Sequence, residues 1–295
     1  MSAIVINDLS KKFGREYVLD HLNLEILDGE FFSILGLPKS GKTTLTQILL
    51  NFLKPGSGEA RIFDMDVRKD SKTIKDFCSY VSEDVWMYDN MKPDSIFHKT
   101  LRFHGSNNKE VLEELKDYFN FHEKKKFGQL SLRDKKLVAI INALMVSPKL
   151  VILDEPTLGL DGETIEKLFV RLKQLQREEG LTILMLTESL PLAQRYSDRA
   201  AYLYQGEIKT IEHLKERDGR DKILRIFDSP IVEDPFLEIG AKPVLGDPET
   251  TMFYYDGPLP VLTEKIALSN IKNYNLEDAT LKDKMEAQYK GGTQE

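Results

Sequence analysis

Two stretches carry residue types at spacings that suit phosphate chemistry. The first is Gly36-Leu37-Pro38-Lys39-Ser40-Gly41-Lys42-Thr43, with Thr44 directly after it. It follows the apolar run FFSIL and opens into the helical pattern TLTQILLNFL, so a strand leads through a glycine loop into a helix. Glycines there let backbone N–H groups curl around phosphate oxygens, and the helix amino terminus favours an anion. Lys42 is then within reach of β- and γ-phosphates, and Thr43 can ligate Mg2+. The second stretch is LVILDE, an apolar strand ending in Asp154 and Glu155. At such a strand end one acid can hold Mg2+ while its neighbour polarises an attacking water. Together the two stretches predict binding of a nucleoside triphosphate.

Elements must position these groups. The first sixty residues alternate short β-like runs (AIVI, LNLEI, EFFSIL) with turn signals such as Asp28-Gly29. After the loop and its helix, CSYVS reads as another strand, and a charged helical stretch follows from about Asp94 to Lys126. QLSLRDKKLVAI reads as a helix start, with Ser131 as its cap and Leu137, Val138, Ile140 and Ile141 as its apolar face. Strand character returns in LVILDE and LTILMLT, each followed by a helix, and RAAYLYQGEIKTI reads as a hairpin turning at Gln205-Gly206. Parallel strands alternating with helices predict an α/β core with ligands at the strand carboxyl ends. From about Asp221 the rhythm changes to short strands (ILRIF, KPVLG, TMFYY) and two helices, the last being TLKDKMEAQYK. This predicts a small separate α+β domain.

The 295 residues are enough for a large and a small unit, and 41% hydrophobic with 30% charged residues is the composition of a globular protein. A formal charge of -7 argues against a dedicated nucleic-acid binder, which carries a basic stripe to neutralise phosphates. The one cysteine, Cys78, has no partner for an internal disulfide, and its setting in FCSYV predicts a buried strand thiol in a reducing compartment. The longest apolar run, LVAIINALMV, is about half the ~20 residues a membrane-spanning helix needs. The first residues, MSAIVINDLSKK, lack the basic-then-apolar order of a signal peptide. His98, His104, His122 and His213 lack metal-ligand spacing, and the run Glu123 to Lys126 reads as a solvated face.

The order of phosphate loop, helical stretch, LS-x-x-x before a helix and LVILDEPTLGLD resembles the ATP-binding subunits of ABC transporters as far as about residue 215. The closing NLEDATLKDKMEAQY is similar to the tail of the drug- and peptide-export branch. The resemblance implies an α/β P-loop NTPase core over residues 1–218, with a parallel-strand core, an antiparallel β subdomain and a helical subdomain at about 90–145. A small α+β accessory domain would follow over 219–295. It also implies ATP and Mg2+ as ligands, transmembrane permease subunits as partners, and a peripheral place on the cytoplasmic face of the cell membrane. Such subunits form head-to-tail dimers, each phosphate loop facing the LSGGQ-like helix start of the other, and ATP-driven closure powers transport.

By the same resemblance, Phe13 in KKFG would stack on adenine, and Gly36 to Thr44 would hold the nucleotide. Ser131 would bond the facing phosphate, Asp161 would lie in the loop crossing the dimer interface, and Glu155 would be the catalytic acid. Trp86 and Tyr88 would fall in the groove that takes the transporter's coupling helix. The chain departs from the family in four places. LSGGQ has become Leu130-Ser131-Leu132-Arg133-Asp134, and Lys39 replaces the third loop glycine. Glu83 stands where a Gln senses Mg2+, an exchange that keeps a hard oxygen ligand beside Thr43 and Asp154. Glu188 stands where a His touches the γ-phosphate. There a donor has become an acceptor, and a like-charge pair at about 4 Å costs about 4 kcal/mol at an effective dielectric near 20. Glu188 is therefore expected to turn away, to be protonated, or to weaken the closed state. Side chains at 132 and 133 hold a facing nucleotide farther off, unless the Arg133 fork reaches the phosphate.

Two functions are compatible with these residues. One is an ATPase subunit powering export of a drug, peptide or lipid-like substrate, as a homodimer or paired with a second ATPase that lends an intact LSGGQ. The other is a non-hydrolysing, ATP-dependent regulatory subunit of a heteromeric complex.

Overall fold

Phe31–Leu35 (β3), Leu150–Asp154 (β7) and Thr182–Thr187 (β8) are apolar at nearly every position and buried at all of them. Strands that read this way are covered on both faces, which is the condition of the middle of a parallel sheet. In the computed structural model they are indeed the middle of a six-stranded sheet. Its order is β10-β9-β3-β8-β7-β6, with Cys78–Val81 as β6, Arg199–Tyr204 as β9 and Glu207–His213 as β10. The pairings from β9 through β6 are parallel. β9 and β10 form the expected hairpin, and Gln205 and Gly206 turn it at φ of 48° and 82°, the left-handed pair that a two-residue type I′ turn needs.

The structure describes residues 1–85, 87–214, 221–227, 234–244, 250–269, 271–280, 283–284 and 286–287. Two units divide the chain, Met1–Glu212 and His213–Glu295. In the first, Ser2–Phe13 (β1), Glu16–Leu27 (β2), Ser57–Ile62 (β4) and Met65–Asp66 (β5) form an antiparallel sheet in the order β2-β1-β4-β5. Lys42–Leu49 (α1) lies between the two sheets, touching β2 and β4 on one side and β7 on the other. Ile4, Ile6, Leu24 and Ile62 of the antiparallel sheet join Leu45 and Ile48 of α1 and Ile34, Ile152 and Leu184 of the parallel sheet in one core. The phosphate loop therefore hangs between two rigid layers.

Ser71–Phe77 (α2) leads into β6. Pro93–Phe103 (α3), Lys109–Tyr118 (α4), a 3-10 turn at Phe127–Gln129 and Leu132–Leu144 (α5) supply the helical subdomain. Gly162–Glu179 (α6) and Leu190–Tyr196 (α7) follow β7 and β8. Cys78 is buried in β6, and burial pushes its thiol up to about 12, so it is inert at neutral pH. Trp86 lies outside the described residues, while Tyr88 is exposed. Among the described residues no helix is long and apolar enough to cross a membrane.

The second unit runs Lys222–Ile226 (β11), Asp234–Glu238 (α8), Lys242–Val244 (β12), Thr251–Tyr255 (β13), Leu259–Leu268 (α9) and Tyr274–Asp278 (β14). The sheet order is β12-β13-β11-β14 with antiparallel pairing throughout, a split β-α-β plait. Phe236, Leu262 and Ile266 from the two helices cover Leu224, Ile226, Phe253 and Tyr255 on one face. The sequence reading of this unit missed two elements. NLED is the edge strand β14, and α8 is too short for a helical period to show. The final expected helix, TLKDKMEAQYK, falls largely outside the described residues.

Candidate active site

Leu35 ends β3, and the chain then makes a turn that only particular residues allow. Gly41 caps α1 at a φ of 108°, and a Cβ there would lie 2.6 Å from the Val18 carbonyl oxygen. A Cβ on Gly36 would lie 2.4 Å from Ser40 Oγ and 2.8 Å from the Leu203 carbonyl oxygen. Lys39 takes a φ of 67° where glycine would be free, at a cost of about 1 kcal/mol. Lys42 is buried, and its amine folds back to donate to the carbonyl oxygens of Gly36 at 2.6 Å and Leu37 at 3.3 Å.

The strand pairing Asp154↔Leu186 sets the acids beside the end of β8. Glu155 leaves β7 at a φ of 41°, with its backbone N–H on the Leu186 carbonyl at 2.9 Å. Its Oε2 accepts from the Thr187 hydroxyl at 3.1 Å, and its Oε1 lies 3.9 Å from Lys42 Nζ. Glu188 Oε1 lies 3.6 Å from the same amine. Of the three outcomes expected for Glu188, turning away is not seen: its carboxylate stays 3.6 Å from the Lys42 amine that also faces Glu155.

Burial raises the pKa of Asp154, and the nearby Glu83 adds to it, while Lys42, Thr43 and Tyr80 pull the other way. Burial likewise raises Glu155, with Thr187 and Lys42 opposing and Glu188 adding. A carboxyl raised in this way favours the fold fully below its unfolded pKa and loses that contribution as pH rises through its folded value. At neutral pH the nucleotide-free protein therefore carries Asp154 as a destabilising charge. Asp154→Asn is expected to raise its melting temperature in a thermal-denaturation measurement without nucleotide. Equal or lower melting temperatures would contradict the assignment.

Lys42, Thr43, Thr44, Glu83, Glu155 and Glu188 line a cavity of about 420 Å³ together with Pro38 to Gly41. Another, of about 390 Å³, is bounded by Leu37 to Ser40, Tyr17 and the turn at Gln205-Gly206. Glu16 and Val18 border both. Phe13 lines neither: it ends β1, is half exposed, and sits across from Glu16 at the hairpin turn. Tyr17 and Tyr204 are the aromatics that line the second cavity; Tyr17 is next to the loop's hairpin neighbour Val18 and has Lys12 Nζ 3.7 Å above its ring.

Ser40 Oγ, Asp154 Oδ1 and Glu155 Oε1 are buried oxygens with no hydrogen-bond partner among the described residues. The Asp154 carboxyl also has a long contact, 3.5 Å, from the Tyr80 hydroxyl to Oδ2, and the Thr43 hydroxyl is close enough to lower its pKa. Idle hard oxygens beside a buried amine suit Mg2+ and phosphate. Among the described residues no group of three or more His, Cys, Asp or Glu could hold a metal.

The start of α5 is built as the sequence predicts and is committed to its own chain. Ser131 caps the helix, accepting from the Asp134 N–H at 3.1 Å and donating to the Asp134 carboxylate at 2.6 Å. Arg133 does not fork outward. Its Nε bonds Asp161 at 2.6 Å, and its other nitrogens reach Thr164 at 3.0 Å and Asp134 at 3.3 Å. Asp161 in turn caps α6 through the Thr164 N–H at 2.9 Å. That N–H and the Arg133 guanidinium hold its carboxyl far below the usual range. Leu132 is 76% exposed and lies over Gly159, where an added Cβ would meet the Leu132 Cβ at 3.2 Å. Neither Ser131 nor Arg133 lines either of these two cavities.

Comparison with known proteins agrees with this geometry. Residues 19–158 match the family model described as ABC transporter. The chain is 31% identical over 226 residues to the bacitracin transport ATP-binding protein BcrA of Bacillus licheniformis, covering 75% of this chain and 74% of that one. It is 34% identical over 228 residues to an uncharacterized ABC transporter ATP-binding protein, MJ0796, of Methanocaldococcus jannaschii, covering 71% and 95%. Among solved structures, the dimeric post-hydrolysis state of the ATP-binding cassette MJ0796 bound to ADP and Pi superposes with a TM-score of 0.66. It is 28% identical, over 72% of this chain and all of that one. By these matches the chain belongs to the ATP-binding subunits of ABC transporters, ATPases coupled to transport.

Proposed function

We propose that this chain drives export by hydrolysing Mg·ATP at the cavity around Lys42, as half of a dimer seated on transmembrane permease subunits. The observation that carries the reading is the placement of Glu155 and Glu188 on either side of the buried Lys42 amine, in a cavity walled by the phosphate loop. Lys42 and the loop amides from Lys39 to Thr44 hold the β- and γ-phosphates. Thr43, Asp154 and Glu83 would hold Mg2+, which when bound would neutralise charge on the phosphate oxygens. Glu155 orients the attacking water, and Thr187 fixes that carboxylate through its hydroxyl. Tyr17, rather than Phe13, offers its ring to the nucleobase, because it borders the cavity next to the loop.

Export is supported by two relatives, the bacitracin transport protein and the probable multidrug ATP-binding protein YbhF of Escherichia coli. The dimer is supported by the MJ0796 cassette. The tied-up start of α5 favours pairing with a second, different ATPase subunit: Ser131 and Arg133 have already bonded Asp134 and Asp161, so they offer little to a neighbour's phosphate.

The test is purification of the tagged full chain from membranes. Co-purification of a transmembrane protein and Mg2+-dependent ATP hydrolysis in the eluate are expected. A second ATPase in stoichiometric amount supports the heterodimer, and robust hydrolysis by the pure homodimer counts against it. Failure of any membrane protein to co-purify overturns the proposed assembly.

A further inference from the structure

Lys136 lies on α5, one turn beyond the Ser131 cap, and is 3% exposed. A lysine is almost never so deeply buried unless its charge is met. Its amine donates to the carbonyl oxygens of Glu83 at 2.8 Å, Ser82 at 2.9 Å and Glu155 at 3.3 Å. An ammonium has three N–H donors and no acceptor, so three carbonyls satisfy it completely. They come from two separate segments, the one that leaves β6 and the one that leaves β7. Each segment carries an acid that lines the cavity, Glu83 on one and Glu155 on the other. The second segment turns at the left-handed φ of Glu155, a conformation that persists only where the surroundings hold it.

We propose that Lys136 is a positioning residue for ATP hydrolysis: by gripping the main chain at Ser82, Glu83 and Glu155 it sets the spacing of the two acids and ties both to α5. The amine touches neither cavity, so it acts only through the backbone it holds. A shift of α5 on dimer closure would then move both acids as one piece. This rests on the reading of Glu155 as the water-orienting acid. Displacing such a group by about 1 Å costs on the order of 100-fold in rate.

The experiment uses the full chain with the partners it retains from the membrane, and compares Lys136→Met, which keeps the length and loses the donors, with Lys136→Gln, which keeps two donors. ATP affinity is measured by calorimetry, turnover by phosphate release, and backbone order by amide hydrogen exchange. For Lys136→Met the expected result is ATP affinity and KM within threefold of the parent and kcat lowered about 10- to 100-fold. Exchange should be faster across 82–84 and 155–158 but unchanged along α5. Lys136→Gln should recover part of the turnover and of the protection. The proposal is overturned if kcat stays within twofold, or if affinity, turnover and α5 protection fall together, which marks a lysine that merely supports the fold. Should Lys136→Met not fold, Lys136→Gln decides by the same criteria. Glu155→Gln separates the two readings. If it hydrolyses ATP like the parent, the assignment of the acid fails; if it is inactive while Lys136→Met is normal, only the positioning role fails.

Discussion

Methionine in place of Lys42 is expected to weaken ATP binding at least 100-fold, about 3 kcal/mol, in a calorimetric titration. The loss has two sources. The amine is the buried cation of the site, and nothing else in the phosphate loop replaces it: Lys39 borders the cavity but is exposed, so solvent screens its charge. Lys42 also stands between Glu155 at 3.9 Å and Glu188 at 3.6 Å, and without it those carboxylates face an incoming triphosphate with like charge. Lys42→Met should therefore bind ATP better at acid pH than at neutral pH, because protonating Glu155, whose pKa burial raises, removes part of that repulsion. Unchanged affinity in the variant would remove the cavity from consideration as the nucleotide site.

Glu155→Gln is expected to cut kcat by at least 100-fold, within the range that a positioned acid–base group contributes, while ATP binding is kept or tightened. Glutamine can still accept from Thr187, so the geometry survives and only the charge is lost. The parent's pH profile carries the sign of the same argument. Burial raises the Glu155 pKa, with Glu188 adding and Thr187 and Lys42 opposing. Since the carboxylate is the working form, activity falls as pH drops through that raised value, so the acid limb of kcat/KM, which reports the nucleotide-free enzyme, should lie above that of an ordinary glutamate. Glu188→Gln removes one raising influence and should move that limb to lower pH. Steady-state kinetics between about pH 5 and 9 measure both effects, and an acid limb unmoved in Glu188→Gln would mean that the two glutamates are not coupled.

How much of this could be read beforehand depended on whether a residue's role was set by its neighbours in sequence or by distant ones. The phosphate loop is contiguous, and its helix follows at once, so its residues could be assigned by spacing. Asp154 and Glu155 end a strand whose apolar run marks it as central. Ser131 could be recognised as a cap because capping is local. Lys136 could not: a lysine on an amphipathic helix reads as solvated, and only the approach of β6 and β7 buries it. Phe13 and Tyr17 flank one turn, and the pairing of β1 with β2 decides which ring meets the loop. Arg133 had an apparent phosphate partner in a neighbour, but Asp161 of its own chain lies closer, brought there by the cap of α6. NLED was hidden for another reason. As the edge strand β14 it is mostly exposed, so no alternation of apolar residues announces it.

The left-handed turn at Glu155 also bears on how this site can drift. Glycine or asparagine accepts a φ of 41° more readily than glutamate does, and either would also remove a buried carboxyl whose charged form burial disfavours. Substitutions that silence the acid are therefore downhill for the folded chain. Mutation and thermal selection alone would erode position 155 toward an inert, sturdier subunit. The glutamate can persist there only in lineages where turnover itself is under selection.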